Sequence, residues 1–297
     1  MNQDLNTLTE EQFLSQYNLN DYERPSVTVD TLVFTVTNKV NEDIRKLDEK
    51  ELKILLIKRN AHPFLGSWAF PGGFVQIDES LDDAVDRMIR EEANMSNIYF
   101  EQLYTYGDIG RDPRTRVLSV AHMALIPNEN LKPKVGRDAD DIRWFSIKRE
   151  NIDCDKENES KWLLKLTSED EEINISYEVT EKCIRRGVTE LKEVVVNPQA
   201  LTQEKLAFDH YRILVDALNR LKNKIEYTPI AFNLVGEYFT RAEIQSIYEL
   251  ILDRKFTRME LWRKIKDMVV ETDLISKEKG HRPSKYYKFN PDWSPKF

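Results

Sequence analysis

Cysteine is nearly absent. Only Cys154 and Cys183 occur in 297 residues, and neither belongs to a Cys/His cluster. That excludes a disulfide framework and a structural zinc site, and it points to a reducing cytoplasm. Long apolar runs are missing as well, so no segment is expected to span a bilayer and no membrane partner is expected. The opening MNQDLNTLTEEQ is polar and acidic, unlike a secretory signal or a transit peptide. The length exceeds what one small core requires and suits two domains.

The charge is unevenly spread. From Lys222 onward there are 15 Lys+Arg against 11 Asp+Glu, a balance of +4, which leaves 29 against 41, or −12, for the rest of a chain of net charge −8. An acidic body with a basic tail suggests a polyanion partner for the tail, although a solvated charged surface has the same composition.

Thr9 to Gln12 has capping-box form and predicts a short helix within an N-terminal segment, residues 1–23. SVTVDTLVFTV and ELKILLIKRN read as partner strands, VLSVAHMALIP and IRWFSI as further strands, and DESLDDAVDRMIREEA as a helix with Leu81, Ala84, Val85, Met88 and Ile89 on one face. Together they form a unit over 24–202. Residues 155–200 carry WLLKL, EINISYEVT and LKEVVVN, three strands read as an elaboration of the same sheet, at an edge or a dimer contact. Residues 203–224 read as a connecting amphipathic helix. The last unit, 225–297, contains Phe239-Thr-Arg-Ala-Glu-Ile244 and Phe256-Thr-Arg-Met-Glu-Leu261, each a Thr N-cap with Glu at N3 between apolar flanks. Two short helices followed by TDLIS, KEKGHRP and SKYYKF give helix, turn, helix and ribbon, a winged helix.

The chemistry concentrates between Gly73 and Glu92. Gly72-Gly73 allows close backbone approach to a phosphate, Glu79 can accept from Arg87, and Glu91 and Glu92 follow position 88 by three and four residues on overlapping faces of one helix. A hard cation such as Mg²⁺ takes oxygen ligands, so Glu91 and Glu92 are the candidate metal ligands. Yet position 88, where a further carboxylate would complete the cluster, holds a soft thioether.

This segment resembles the Nudix box, Gly-x5-Glu-x7-Arg-Glu-U-x-Glu-Glu-x-Gly-U, where U is aliphatic. Gly73, Glu79, Arg87, Ile89, Glu91, Glu92 and Met95 match it, while Met88 and Asn94 do not. Nudix proteins are mostly pyrophosphohydrolases of nucleoside diphosphate derivatives, and the Glu missing at 88 is one of the metal or base positions. Losing a general base costs roughly 100- to 10,000-fold. The expected site therefore holds a ligand without efficient turnover. No cofactor is required for that, though Mg²⁺ could accompany a bound diphosphate.

The loop GDIGRDPRTR contributes Arg111, Asp112, Arg114 and Arg116. Its arginines suit bidentate anion binding, and they equally suit pairing with the Asp-rich surface. Together with WAFPGGFVQIDES, LAFDH and the winged helix, this loop is similar to the Nudix-related transcriptional regulators, over nearly the whole chain apart from 155–200. The resemblance implies an α+β protein: a Nudix α/β/α sandwich with a mixed sheet, plus a C-terminal winged helix-turn-helix. It implies a sensor of ADP-ribose, a related NAD metabolite or a sugar. It adds Arg59 and Trp68 as candidate ligand contacts, Trp68 having core packing as its alternative reading.

On the second helix Thr257, Arg258, Arg263, Lys264 and Lys266 form a candidate basic face for the major groove of double-stranded DNA. Lys277, Lys279, His281, Arg282 and Lys285 crowd the wing, where they would meet phosphates or the minor groove. A homodimer would match a two-fold operator. Two other readings are a Mg²⁺-dependent hydrolase of ADP-ribose-like substrates and a protein-binding adaptor.

Overall fold

Strand β1 (Ser26–Asn38) is covered on both faces along most of its length, as its β-branched sequence favours. A strand buried on both sides cannot lie at an edge, and the sheet grows around it. The structure is a computed structural model that describes residues 8–39, 49–94, 96, 98–128, 133, 139–154, 158–275 and 283–294.

β2 (Lys50–Arg59) pairs antiparallel with β1 from Phe34↔Ile54 to Asn38↔Lys50. Beyond that register the two strands part: β2 takes up β3 (Trp68–Ala69) and β1 takes up β4 (Gly72–Phe74). β5 (Tyr99–Tyr106) is an outer strand on β6 (Val117–Leu125), which runs parallel to β1. On the other flank β7 (Ala139–Ile152), β8 (Glu159–Ser168), β9 (Asn174–Arg186) and β10 (Thr189–Val196) follow by antiparallel pairing. The order is β10-β9-β8-β7-β2-β1-β6-β5, so the three strands expected within 155–200 do extend the first sheet. Strand β5 was not foreseen from the sequence.

Successive β1 side chains point to opposite faces. Val29 and Val33 pack on Ala84, Val85, Met88 and Ile89 of α2 (Leu81–Ala93). Leu32, Phe34 and Val36 enter the opposite core, with Leu214 and Leu221 of α3 (His210–Lys224). This is the expected α/β/α sandwich with a mixed sheet. Helix α1 (Glu10–Gln16) opens on the expected Thr9–Gln12 capping box.

The C-terminal part is a winged helix: β11 (Phe239–Thr240), α4 (Arg241–Leu252), α5 (Arg258–Ile265), β12 (Val269–Ile275) and β13 (Lys285–Phe289), with sheet order β11-β13-β12. Thr240 and Glu243 form a full capping box. The second copy of the motif is only half realised. The Thr257 hydroxyl accepts from the Glu260 N–H at 3.2 Å, but the Glu260 carboxylate turns toward Arg254, 3.9 Å away.

The helix expected over Gln203–Lys224 begins only at His210. Ahead of it the backbone runs beside β3: the Trp68 N–H donates to the Lys205 carbonyl at 3.0 Å and the Ala207 N–H to the Trp68 carbonyl at 2.7 Å. Leu206 N–H donates to the Tyr177 hydroxyl at 2.8 Å. These tertiary partners outweigh the local helical pattern. No helix among the described residues is long and apolar enough to cross a membrane.

One buried cluster runs from Leu32 and Ile54 through Leu221 to Ile247, Leu261 and Tyr287. Helix α3 is thus shared core rather than a spacer. We expect a single cooperative unfolding transition in calorimetry, and Leu221→Ala to destabilise the whole molecule by about 2–5 kcal/mol. Two separate transitions in the wild-type protein would contradict a shared core.

Candidate functional site

Glu79 precedes α2 and braces the loop to the helix. Its carboxylate accepts from Arg87 Nε at 2.8 Å and from the Gln76 N–H at 2.8 Å, and Arg87 Nη2 also reaches the Phe74 carbonyl at 3.2 Å. The guanidinium, then the backbone N–H, hold the Glu79 carboxyl near about 2, well below its usual 4.5. The expected Glu79–Arg87 brace is present.

Met88 is 8% exposed and packs with Val29, Val33, Ala84 and Val85. A Cβ added to Gly73 would stand 2.8 Å from Met88 Cε and 3.1 Å from Sδ, and one on Gly72 only 2.4 Å from the Val29 carbonyl oxygen. Close packing thus requires glycine at 72, where β4 approaches β1, and favours it at 73, which receives the end of the thioether. That is a different reason from the phosphate approach read in the sequence. Asn94 ends α2 at φ +53, the left-handed conformation for which glycine is the usual residue and asparagine a tolerated one. The Asn94 departure from the Nudix pattern is thus conservative, and the Met88 departure is not.

Glu91 is exposed and lies 3.5 Å from Arg87 Nη1. The side chain of Glu92, like the whole of Met95, lies outside the described residues. Among the described residues no three His, Cys, Asp or Glu side chains converge as a metal site. Position 88 thus offers a buried thioether in place of an oxygen ligand, and Glu91 shares its charge with a guanidinium.

Beside this segment a cavity of about 240 Å³ opens between β1, β2, the 107–116 loop and the start of α3. Arg59, Arg111, Asp112 and Arg114 line it, as do Asp30, Phe74, Phe208 and His210. Arg59 donates to the Pro63 carbonyl at 2.9 Å and lies 5.1 Å over the Phe208 ring. Arg114 pairs with Asp112 at 2.7 Å and lies 5.3 Å over the Phe74 ring, with 43% of its side chain exposed. Arg111 differs. Its side chain is 5% exposed, bidentate to Asp209 at 2.7 and 3.1 Å, and 3.7 Å from Asp30. The alternative reading of the arginines, pairing with aspartates, therefore holds for Arg111 and Arg114.

His210 is buried, stacked on Phe70 with ring centroids 4.4 Å apart. Its Nδ1 accepts the Phe70 N–H at 3.1 Å, which places its proton on Nε2, 3.6 Å from Asp30. Burial pushes its pKa down, so the ring is neutral. Asp30 also accepts a short hydrogen bond from Ser119. Phe208 adopts φ +51 and Phe64 φ +62, with rings 4.6 Å apart, a local strain of the kind that concentrates at binding sites.

Two expected contacts are corrected. Trp68 is fully buried against Phe145, centroids 4.8 Å apart, and does not line the cavity. Its place in β3 turns it into the core. Arg116 is exposed with its guanidinium beside Gly107, outside the lining. The sequence reading missed Asp30 and Asp209. The signal for Asp30 was a carboxylate in an otherwise apolar strand, while Asp209 fell inside the helix expected over 203–224 as one more charged position.

On the winged helix, Leu261 and Ile265 of α5 are buried, and Thr257, Arg258, Arg263 and Lys266 are exposed. Lys264 is corrected: its ammonium lies 3.4 Å from Glu226 and 5.5 Å over the Tyr248 ring, so it faces inward. Lys285 is exposed but paired with Glu271. Lys277, Lys279, His281 and Arg282 lie outside the described residues.

Comparison with known proteins defines the class. The NUDIX domain family model matches residues 40–166, and the NrtR DNA-binding winged helix domain model matches residues 231–289. The chain is thus a Nudix domain joined to a DNA-binding winged helix. It is 30% identical to the ADPR responsive transcriptional repressor NtrR of Acinetobacter baylyi over 288 residues, 96% of this chain and 90% of that one. It belongs to the family of Nudix-related, NrtR-type transcriptional regulators. Over 134 residues, 45% of this chain and 68% of the relative, it is 35% identical to the ADP-ribose pyrophosphatase of Methanocaldococcus jannaschii. Among solved structures it resembles a MutT/nudix family protein from Enterococcus faecalis (TM-score 0.66, 28% identity, 95% and 94% coverage of the two chains). It also resembles NrtR of Shewanella oneidensis complexed with a 27mer DNA (TM-score 0.60, 26% identity, 90% and 94% coverage).

Two predictions follow from the packing. Gly72→Ala drives its Cβ into backbone and should cost about 3 kcal/mol in urea melts, while Gly73→Ala meets a flexible side-chain end and should cost about 1 kcal/mol. Because folding depresses the Glu79 pKa, its ion pair contributes stability above pH 4.5 that is lost as pH falls toward about 2. Glu79→Gln should flatten that acid limb, and an unchanged limb would remove the assignment.

Proposed function

We propose that this chain is an effector-responsive DNA-binding regulator that binds ADP-ribose, or a close nucleoside diphosphate sugar, in its Nudix cavity and hardly cleaves it. Met88 carries this reading: the position that would complete a carboxylate cluster is a core methionine seated on Gly73. The name of the Acinetobacter relative, an ADPR responsive repressor, supports the choice of effector.

In this reading no metal is required for binding. The cavity arginines already have carboxylate or carbonyl partners, so an anionic effector binds by exchange. The half-exposed Arg114 gives up Asp112 first. Exchange at Arg111 frees Asp209, the residue at the start of α3, and α3 shares its core with the reader. A ligand shifts the reader only by its differential affinity for the two settings. The exposed α5 face, Thr257, Arg258, Arg263 and Lys266, meets the duplex, as the 27mer complex of the Shewanella relative supports. A homodimer presents two such faces to a two-fold operator.

Titration of ADP-ribose with and without EDTA tests this. We expect equal affinity in both, turnover with Mg²⁺ at least about 100-fold below that of a competent hydrolase, and altered operator affinity. Arg114→Ala should weaken the effector about tenfold, as loss of a charged hydrogen bond does, and Asp209→Asn should leave DNA binding insensitive to effector. Arg258→Glu with Lys266→Glu should weaken DNA binding and lower its salt dependence. Rapid hydrolysis with no response of DNA binding would replace the regulator by the hydrolase reading.

A further inference from the structure

We infer that a second small-molecule site lies in the cleft where the Nudix sheet, α3 and α4 meet, and that it takes a small apolar carboxylate. The cleft has a volume of about 230 Å³. The sheet contributes Leu52, Ile147 and Leu164, α3 contributes Leu218 and Leu221, and α4 contributes Ile251. Apolar side chains from three elements thus line a cleft that is open to solvent on one side, the form that small-molecule sites commonly take.

The rim supplies the second half of the recognition. Lys148 of β7 and Lys222 of α3 line the cleft and are exposed, and neither pairs with a carboxylate among the described residues. Several neighbouring cations of the sheet and α3 are instead neutralised, Lys53 by Glu51 and Glu169, Lys161 by Glu178, and Lys224 by Glu101. Arg149, at the same rim, is held by Glu181 at 2.9 Å and stacked 4.5 Å over Trp162, so it closes one end. Asp253 also lines the cleft, one carboxylate against two unpaired ammonium groups.

An apolar body with a single anionic end satisfies both features: the body displaces water from the leucine walls and the carboxylate meets the lysines. A sugar or nucleotide could meet the polar rim, including Asn219 and Asp253, but would set its remaining hydroxyl groups against the leucine and isoleucine walls, which is costly. Because the walls belong to sheet, connecting helix and reader at once, an occupant changes how α4 sits on the sheet. This site does not depend on the identity of the effector in the first cavity.

The test uses the full chain with 2-naphthoate as probe and 2-naphthalenemethanol as its uncharged counterpart, read by quenching of tryptophan fluorescence, since Trp162 lines the cleft. Saturable naphthoate binding is expected, about tenfold tighter than the alcohol and about tenfold weakened by Lys148→Gln with Lys222→Gln, the loss of one charged contact in each case. Leu218→Trp should fill the cleft and abolish binding, and Ile147→Phe does so from the opposite wall if the first variant does not fold. Arg114→Ala, in the first cavity, should leave naphthoate binding unchanged. Absence of saturable quenching at millimolar naphthoate, equal affinity for acid and alcohol, or retention in both cleft-filling variants would overturn the site. Loss of binding in Arg114→Ala would place the probe in the first cavity and overturn it as well.

Discussion

The ion pair between Arg111 and Asp209 ties the 107–116 loop to the N-cap of α3, and the arrangement of the cavity depends on it. Arg111 is almost fully buried, so its charge stays in place only because Asp209 and Asp30 compensate it. Removing one partner of a buried pair typically costs 3–5 kcal/mol, because the other charge is left uncompensated. The cavity is close to internally neutral: Arg111 and Arg114 face Asp30, Asp112 and Asp209, with Arg59 supplying a further cation. In the proposed reading an incoming anion enters by exchanging partners, and exchange at Arg111 or Arg114 moves a carboxylate. The same helix is laced to the sheet further along. Tyr106 donates to Asp216 at 2.9 Å, Arg220 to the Leu103 carbonyl at 3.2 Å, and Lys224 pairs with Glu101. Burial raises the Asp216 pKa, and the Tyr106 hydroxyl supplies its hydrogen bond.

Met88 answers a different constraint. A carboxylate at that position would lie among Val29, Val33 and Ala84 and against Gly73, and burying it without a cation would cost several kcal/mol. The thioether instead gains about 1.5–3 kcal/mol from burial. The glycine pair, the Glu79–Arg87 brace and the left-handed Asn94 keep the loop geometry around this apolar position, which is the arrangement the proposed binding role requires.

How much of this was legible depended on whether a residue's role is local. The strands, helix α2 and the winged helix follow from periodicity, capping and turn chemistry, all encoded within a few neighbours. Strand β5 escaped because YFEQLYTY is largely exposed at the outer edge and carries no clean apolar alternation. The start of α3 was misplaced because LAF pairs with β3, a partner more than a hundred residues away. The same distance hid the site. Arg111 reads as a ligand clamp until Asp209 is placed beside it, and Asp209 reads as a position within the expected 203–224 helix until Arg111 takes its carboxylate. Trp68 next to the glycines resembles a binding residue, yet a two-residue strand turns it inward. Lys264 falls on the basic stripe by spacing alone, and Glu226 draws it to the other side.

Because sensor and reader share one core, the reader does not swing on a flexible tether, and any change of setting must be a repacking between discrete arrangements. Moving a two-state population from one extreme to the other takes about 5.5 kcal/mol of differential binding. The exposed pair Arg212–Asp108, with side chains 48% and 68% accessible, falls in the class worth about 0–1 kcal/mol and cannot supply that. A change of partner at a buried pair is the right size. Among the described polar ties of α3 and its N-cap, Arg111–Asp209 is a buried ion pair beside the cavity, and the neutral His210 next to it, 3.6 Å from Asp30, carries no charge to exchange. In the proposed reading, coupling between effector and DNA is therefore concentrated at Asp209, the N-cap of α3, and the ties nearer the helix C-terminus keep it in register while that end is rearranged.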